Sequence, residues 1–385
     1  MIQFENHVPV NIVFGRKKIE SLGKWAAKYG KKALIVCTGP FFKENGLIAR
    51  IAGILASEGI KSESYTEVSP NPLSTEVDKG VEFAKSRGCD VIIGLGGGSA
   101  IDAAKGIAYG LRNKGSIWPY WIGELPRTED IAPMIAVTTT SGTGSHVTMY
   151  SVITNPSTHE KPGSGNEYSH PKVSIVDPEL MLSMPKRTTA AAGFDVIAHA
   201  LEAFTSNSAN PLTDLYCEQA LRIAGKYLPQ VVSDGSDIEA REKMALADTF
   251  AGLAIDAAVV TLCHAMAHSV AGVASTVHGE TLAAITPHTV RFSMNARPEK
   301  FRLVGIFLRG LDSNLQSFSL EDSVSEIEKI IKDVGLNIPL SSQGVRKDQI
   351  ETIVHGTLGY MKGCVDLDAK FPTFEEAKAI ITKSM

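Results

Sequence analysis

Around Pro185 the hydrophobic period of this 385-residue chain changes, and no other feature constrains the fold as much. Before that point short β-branched runs alternate with helical patterns: KALIVC (32 to 37), LIARIAGILASEG, KSESYTEV, the stretch from Ser74 to Gly88, then DVIIGL (90 to 95). Strands separated by about 10–15 helical residues specify βαβ units and a parallel sheet. Further strand-like runs occur at PMIAVTTT (133 to 140), MYSVITN (149 to 155) and KVSIVDP (172 to 178). Within this half, NPLSTEVDKGVEFAKSRG reads as a helix with Ser74 or Thr75 as N-cap, acids in the first turn, basic residues late and Gly88 as its stop. From Thr188 onward, TTAAAGFDVIAHALEAF, PLTDLYCEQALRIAGKYL and EAREKMALADTFAGLAIDAAVV carry helical periodicity and few strand signals. The expected architecture is an α/β domain with a parallel, Rossmann-like sheet over 1–185, followed by an all-α domain over 186–385.

Composition narrows the partner. With 44% hydrophobic and 21% charged residues the chain can bury the cores of two domains. Its formal net charge is -4 and it has no block of like charges, which points away from nucleic acid and from an acidic membrane surface, toward a small molecule. The opening MIQFENHVPVNIVFG lacks the basic and apolar regions of a signal peptide, and no run of about 18 apolar residues follows, so the expected location is cytoplasmic. Cys37, Cys89, Cys217, Cys263 and Cys364 are odd in number and never spaced C-x-x-C, which reads as reduced thiols rather than a disulfide framework or thiolate metal site.

Two loops suit phosphate. In DVIIGLGGGSAIDAAKGIA (90 to 108) a buried-type strand passes through Gly94, Gly96, Gly97 and Gly98 into a helix beginning near Ser99. Backbone can approach a ligand closely there, and the helix start offers free N–H groups and a positive dipole end. The spacing is not G-x-G-x-x-G and the loop lies in the third βα unit, so a merely tight turn is the competing reading. TTTSGTGSHVT (138 to 148) follows the strand PMIAV and could bind phosphate or ribose through its hydroxyls, or be an ordinary Ser/Thr-rich turn. Two such loops at the carboxyl ends of neighbouring strands are what a dinucleotide crevice requires.

The helical half carries a different constellation. Asp195 and His199 stand i, i+4 on one helix face, His264 and His268 repeat the spacing, and His278 follows fourteen residues after His264. One such pair is commonly a packed core feature; two pairs and a further histidine in apolar settings, where lone polar groups are costly, favour metal. Carboxylate plus neutral imidazoles suits Fe(II), Zn(II), Ni(II) or Mn(II), and the lack of thiolates disfavours a structural zinc site. Spacing leaves open whether three or four of the five side chains bind.

Taken together, NIVFG, GGGSAIDAAK, TTTSGTGS, FDVIAHALEAF, HAMAH and HGETLAAITPHTVR resemble the iron-containing (group III) alcohol dehydrogenases of the dehydroquinate synthase-like fold. The likeness spans both halves in the family's order and thins after about residue 300. It implies metal ligands at Asp195, His199, His264 and His278, iron most of all, with His268 left unliganded near the nicotinamide as a catalytic residue. It also implies an NADP or NAD molecule between the domains, held at Gly97, Gly98, Ser99 and Asp102, at Thr138, Thr139 and Thr143, and at Lys161 near the ribose. The segment after Lys161, PGSGNEYSHP, departs from the family's pattern, and His146 replaces the usual acid of GTGSEVT. Where NAD-preferring relatives often place an aspartate after the first strand, this chain has Thr38 and Gly39, which opens the site to NADP, although no arginine stands there to grip its extra phosphate.

The implied reaction interconverts an alcohol with an aldehyde or ketone by hydride transfer, in a homodimer or larger assembly. Three alternatives remain: a dehydroquinate synthase-like lyase, which needs a Lys/Arg cluster near the substrate where this half offers little beyond Arg291; a glycerol-type polyol dehydrogenase; and a non-catalytic metal- or nucleotide-binding protein. Trp118, Tyr120 and Trp121 in SIWPYWIGELP either wall a pocket or cover a sheet edge, the second being the plainer reading.

Overall fold

The computed structural model describes residues 3–314 and 317–385. They pack as two compact units: Val8–Thr140 with Ser145–Met181, and Leu182–Met385 with Ser141–Gly144 and residues 3–7.

The first unit contains strands β1 (Asn11–Phe14), β2 (Lys32–Thr38), β3 (Lys61–Val68), β4 (Val91–Gly96), β5 (Met134–Thr138), β6 (Ser151–Val152), β7 (Gly163–Ser164) and β8 (Val173–Val176). Its helices are α1 (Leu22–Ala26), α2 (Phe41–Glu44), α3 (Leu47–Ser57), α4 (Ser74–Arg87), α5 (Gly98–Arg112) and α6 (Trp118–Trp121). Six strands form one all-parallel sheet in the order β1-β8-β5-β4-β2-β3. Strand pleating sends alternate residues to opposite faces. Thus Leu34, Val36, Ile92 and Ala136 pack with Val77 and Val81 of α4 and Ile101, Ala104 and Ile107 of α5. Ala33, Ile35, Cys37, Ile93 and Val137 face the other way, onto Leu22 and Ala26 of α1 and Ile51 and Leu55 of α3. Each large apolar side chain so buried contributes roughly 1.5–3 kcal/mol, which is why the strands read as unbroken apolar runs. The aromatics of α6 belong to this core: Trp121 is buried, packs edge-on to Tyr109 and donates its indole N–H to Ser151 O at 3.2 Å.

Two local expectations fail for identifiable reasons. Ser74 is not an N-cap: its N–H is engaged by Thr154 O at 2.9 Å, Leu73 holds the cap position, and Glu76 reaches back to accept from Leu73 N at 3.0 Å. The run MYSVITN supplies only the two-residue β6, paired antiparallel with β7 outside the main sheet. Side chains of α5 take its backbone instead, Lys105 Nζ donating to Tyr150 O and Asp102 Oδ2 accepting from Val152 N.

The second unit is helical: α7 (Lys186–Thr205), α8 (Pro211–Ser233), α9 (Ile238–Ala258), α10 (Leu262–Val273), α11 (His278–Ser293), α12 (Pro298–Arg309), α13 (Leu320–Asp333), α14 (Ile350–Leu358), α15 (Lys362–Val365) and α16 (Phe374–Lys383). Start signals are written in the sequence. Asn210 accepts from Leu212 N and Thr213 N with Pro211 in the first turn of α8, and Asp237, Ser319 and Thr373 cap α9, α13 and α16 likewise. Helix α7 lies at the centre against α8, α9 and α11, and almost all of it from Thr189 to Thr205 is buried. Polar side chains on α7 therefore need partners inside the protein.

Candidate metal centre and cofactor loops

Three neighbouring strands end together in the first unit. The sheet order places β4 between β2 and β5, with Val36 opposite Gly94 and Gly96 opposite Thr138. The chain moves from β2 outward to β3, then crosses back to β4 and on to β5, so the winding reverses between β2 and β4, the usual position of a nucleotide crevice. Thr38 and Gly39, then Gly97, Gly98 and Ser99, then Thr138 and Thr139 stand at these three carboxyl ends. A Cβ on Gly94 would lie 3.0 Å from Ala104 Cβ and 3.1 Å from Ile101 Cα, so glycine lets α5 start directly against its own strand. At Gly97 a Cβ would meet Thr140 Oγ1 at 2.9 Å, leaving bare backbone at the helix entry.

Asn71, which sequence reasoning passed over, joins two of the expected cofactor residues. Its N–H donates to Ser99 Oγ at 3.2 Å and its Oδ1 accepts from Lys161 Nζ at 2.7 Å. Its φ of 59° in SPNP is a conformation asparagine tolerates better than most residues, the one signal that could have singled it out. Asp102 faces inward, accepting from Ser145 Oγ and from Val152 N. Beside it, Lys105 Nζ donates to Ser145 O at 2.8 Å and Ser145 Oγ at 3.0 Å. His146 is buried in the same unit; burial, then the positive charge of Lys105, pushes its imidazole down to about 3, so the ring is neutral near pH 7. Thr143 lies on Ser141–Gly144, the segment that packs with the helical unit.

In the helical unit three imidazoles converge on one carboxylate oxygen. Nε2 of His264, His199 and His278 lie 3.3, 3.6 and 3.9 Å from Asp195 Oδ1. Tetrahedral donors about 2.1 Å from a metal stand about 3.4 Å apart, so the set fits a first-row divalent ion. Asp195, His199 and His264 form the tightest group and are buried, while His278 is partly exposed. His199 and His264 stack with ring centroids 4.5 Å apart. His268 is buried on α10 with its ring centroid 6.3 Å from that of His264 and 5.4 Å from that of His278, outside the tight group.

The other ring nitrogens of His199 and His264 face acceptors. His199 Nδ1 lies 3.1 Å from Gly142 O, and His264 Nδ1 meets Glu202 Oε2. Asp248 holds the loop beneath, accepting from Gly144 N at 2.9 Å, and burial pushes its carboxyl up to about 7 despite the Gly142 and Gly144 N–H groups. Burial works against an imidazolium at His264, but Glu202 and Asp195 outweigh it and raise this group to about 9. At His199 burial prevails over Asp195 and the shift is downward. The cluster thus draws in positive charge, and a divalent ion would replace the proton on His264. Glu202 and Asp248 were not read from the sequence, though Glu202, three residues after His199 and seven after Asp195, shares their helix face.

The family described as "Iron-containing alcohol dehydrogenase" matches residues 9–178, and "Fe-containing alcohol dehydrogenase family, C-terminal" matches residues 189–385. The chain belongs to the iron-containing alcohol dehydrogenase family. It is an oxidoreductase acting between alcohols and carbonyl compounds with a nicotinamide cofactor. The match continues to residue 385, past the point near residue 300 where recognisable motifs thin out. Similar proteins include the NAD-dependent methanol dehydrogenase of Bacillus methanolicus, 32% identical over 98% of this chain and 99% of that one. The 1,3-propanediol dehydrogenase of Citrobacter freundii is 36% identical over 89% of each chain. Among solved structures, the archaeal halo-thermophilic Red Sea brine pool alcohol dehydrogenase ADH/D1 has a TM-score of 0.95 and 36% identity, with each chain fully covered. Within this family frame a lyase fits poorly, because Arg291 pairs on the surface with Glu328 at 2.8 Å and Glu321 at 3.6 Å. No single helix among the described residues is long and apolar enough to cross a membrane.

Proposed function

We propose that this iron-containing alcohol dehydrogenase interconverts short primary alcohols and their aldehydes, using NAD(H) or NADP(H) and an Fe(II) held by Asp195, His199, His264 and His278. The observation that carries the reading is the convergence of three imidazole nitrogens on Asp195 Oδ1 within 3.9 Å. A divalent ion supplies Lewis acidity toward the alcohol oxygen, and the nicotinamide supplies the hydride acceptor. The remaining work falls to the chain. Asp195 is the one anionic ligand beside three imidazoles, which leaves the site net cationic toward negative charge developing on the substrate. His268 accepts the hydroxyl proton on a ring nitrogen and passes it on.

For the dinucleotide, the reading assigns Gly97, Gly98 and Ser99 to the pyrophosphate, with Asp102 behind them, and Thr138, Thr139 and Thr143 nearby. Lys161, positioned by Asn71, serves the ribose. Thr38 and Gly39 face the adenosine end, where the lack of an acid admits NADP alongside NAD. Relatives named for methanol, 1,3-propanediol and butanol support a short primary alcohol. Residues 1–185 are read as the cofactor domain and 186–385 as the metal domain. A cytoplasmic setting is supported by five free thiols, and a homodimer or larger assembly by the edge position of β1 in the sheet. The test is metal reconstitution, following reduced-nicotinamide absorbance with both cofactors over a panel of short alcohols and aldehydes. Turnover that appears only with a divalent ion is expected; silence across metals, cofactors and panel would refute the reading.

A further inference from the structure

One carboxylate in the helical unit is placed to do two things for the metal centre. Glu202 sits on α7 and is buried. Its Oε1 accepts from Thr261 N at 3.1 Å, Thr261 Oγ1 at 3.0 Å, Cys263 N at 2.8 Å and His264 N at 3.2 Å. Cys263 N and His264 N belong to the first turn of α10, whose N-cap Thr261 makes no side-chain cap of its own, while Leu262 N is taken by Asp368 Oδ2 at 3.4 Å. Helix starts leave such donors orphaned, and here a residue from another helix satisfies them. Its second oxygen, Oε2, meets Nδ1 of the His264 ring. An ionised carboxylate only accepts, so a proton sits on Nδ1, which leaves Nε2, 3.3 Å from Asp195 Oδ1, as the nitrogen that a divalent ion would take in place of its proton.

We propose that Glu202 is a positioning residue of the metal centre, which fixes the tautomer and orientation of His264 through Oε2 while anchoring the start of α10 through Oε1. The two functions can be separated. Four donors at Oε1 demand an acceptor, so in Glu202→Gln the amide oxygen stays there and the NH2 group turns to Nδ1. A donor at that position favours the opposite tautomer, with the proton on Nε2 where the metal should bind. Thr261→Val does the reverse, removing one donor from Oε1 without touching the ring.

This inference rests on the ligand assignment above, and the test keeps the two apart. Metal-free wild type, E202Q, E202D and T261V are titrated anaerobically with Co(II) against a competing chelator, read by visible absorption, with thermal unfolding of each metal-free protein alongside. Wild type is expected to bind one Co(II) per chain; its failure would sink the ligand assignment itself. E202Q should bind Co(II) about 10–100-fold more weakly, as loss of such outer partners does elsewhere. T261V should melt earlier and bind Co(II) within about threefold of wild type. E202D, with its charge drawn back by one methylene, should fall between wild type and E202Q. Affinity of E202Q within threefold of wild type, or an equal loss in T261V, overturns the role assigned to Glu202. So does wild-type affinity in E202D, whatever the folding state of E202Q.

Discussion

His146 is buried near the charge of Lys105, and that placement has a measurable consequence. The folded imidazole is held down to about 3, whereas in the unfolded chain it titrates near 6.5. The unfolded state therefore binds more protons than the folded state between these values, and stability falls as pH drops below about 6.5. Above that pH the ring is neutral in both states and the contribution is flat. At about pH 5 the unfolded ring is about 1.5 units below its titration point, and at about 1.36 kcal/mol per unit the loss relative to pH 7 is about 2 kcal/mol. His146→Gln removes the titration while keeping a neutral polar side chain. Trp25, Trp118 and Trp121, the only tryptophans, all lie in the α/β unit with His146, so tryptophan fluorescence in urea reports on that unit. Between pH 7 and 5 the wild type should lose about 2 kcal/mol more than the variant, seen as a lower urea midpoint at unchanged slope. Parallel pH dependences in the two proteins would mean that His146 is charged when folded, and the account of its burial would be wrong.

Four other substitutions test the site. His264→Ala should lose both stoichiometric metal and activity, while His268→Ala should keep the metal, by elemental analysis, and lose mainly rate; an empty site in the second variant would erase the division between them. Thr38→Asp should shift the NAD-to-NADP ratio of kcat/KM toward NAD by about tenfold, the equivalent of about 1.4 kcal/mol of repulsion against the extra phosphate, and an unchanged ratio would remove Thr38 from cofactor selection. In Gly279→Ala the new Cβ would stand 2.0 Å from Ala191 O and 2.5 Å from Ala191 C, backbone atoms of α7 that cannot rotate away. Overpacking of this kind costs about 1–3 kcal/mol. Because α7 carries Asp195 and His199 and α11 carries His278, a lower melting temperature should come with weaker metal retention; an unshifted melt would show that the two helices separate freely.

The parts of this protein that could be read from its sequence are those whose physics is local. A period of two against a period of 3.6 separates sheet from helix, and i, i+4 spacing puts Asp195 and His199 on one face of α7 whatever else packs there. What escaped depends on which groups meet across long separations. Strand-like composition in MYSVITN lost to Asp102 and Lys105, whose side chains capture its backbone groups from α5. Ser74 looked like a cap until Thr154 claimed its N–H. Glu202 and Asp248 escape a reading of the sequence because their partners lie about 60 and 104 residues away. Yet Glu202 was within reach of the same local rule. A buried stripe on α7 that already holds Asp195 and His199 cannot take another carboxylate without a partner. Once two ligands are assigned to a buried helix face, any further acid on that face should be read as holding a ligand in place, and here that acid holds His264.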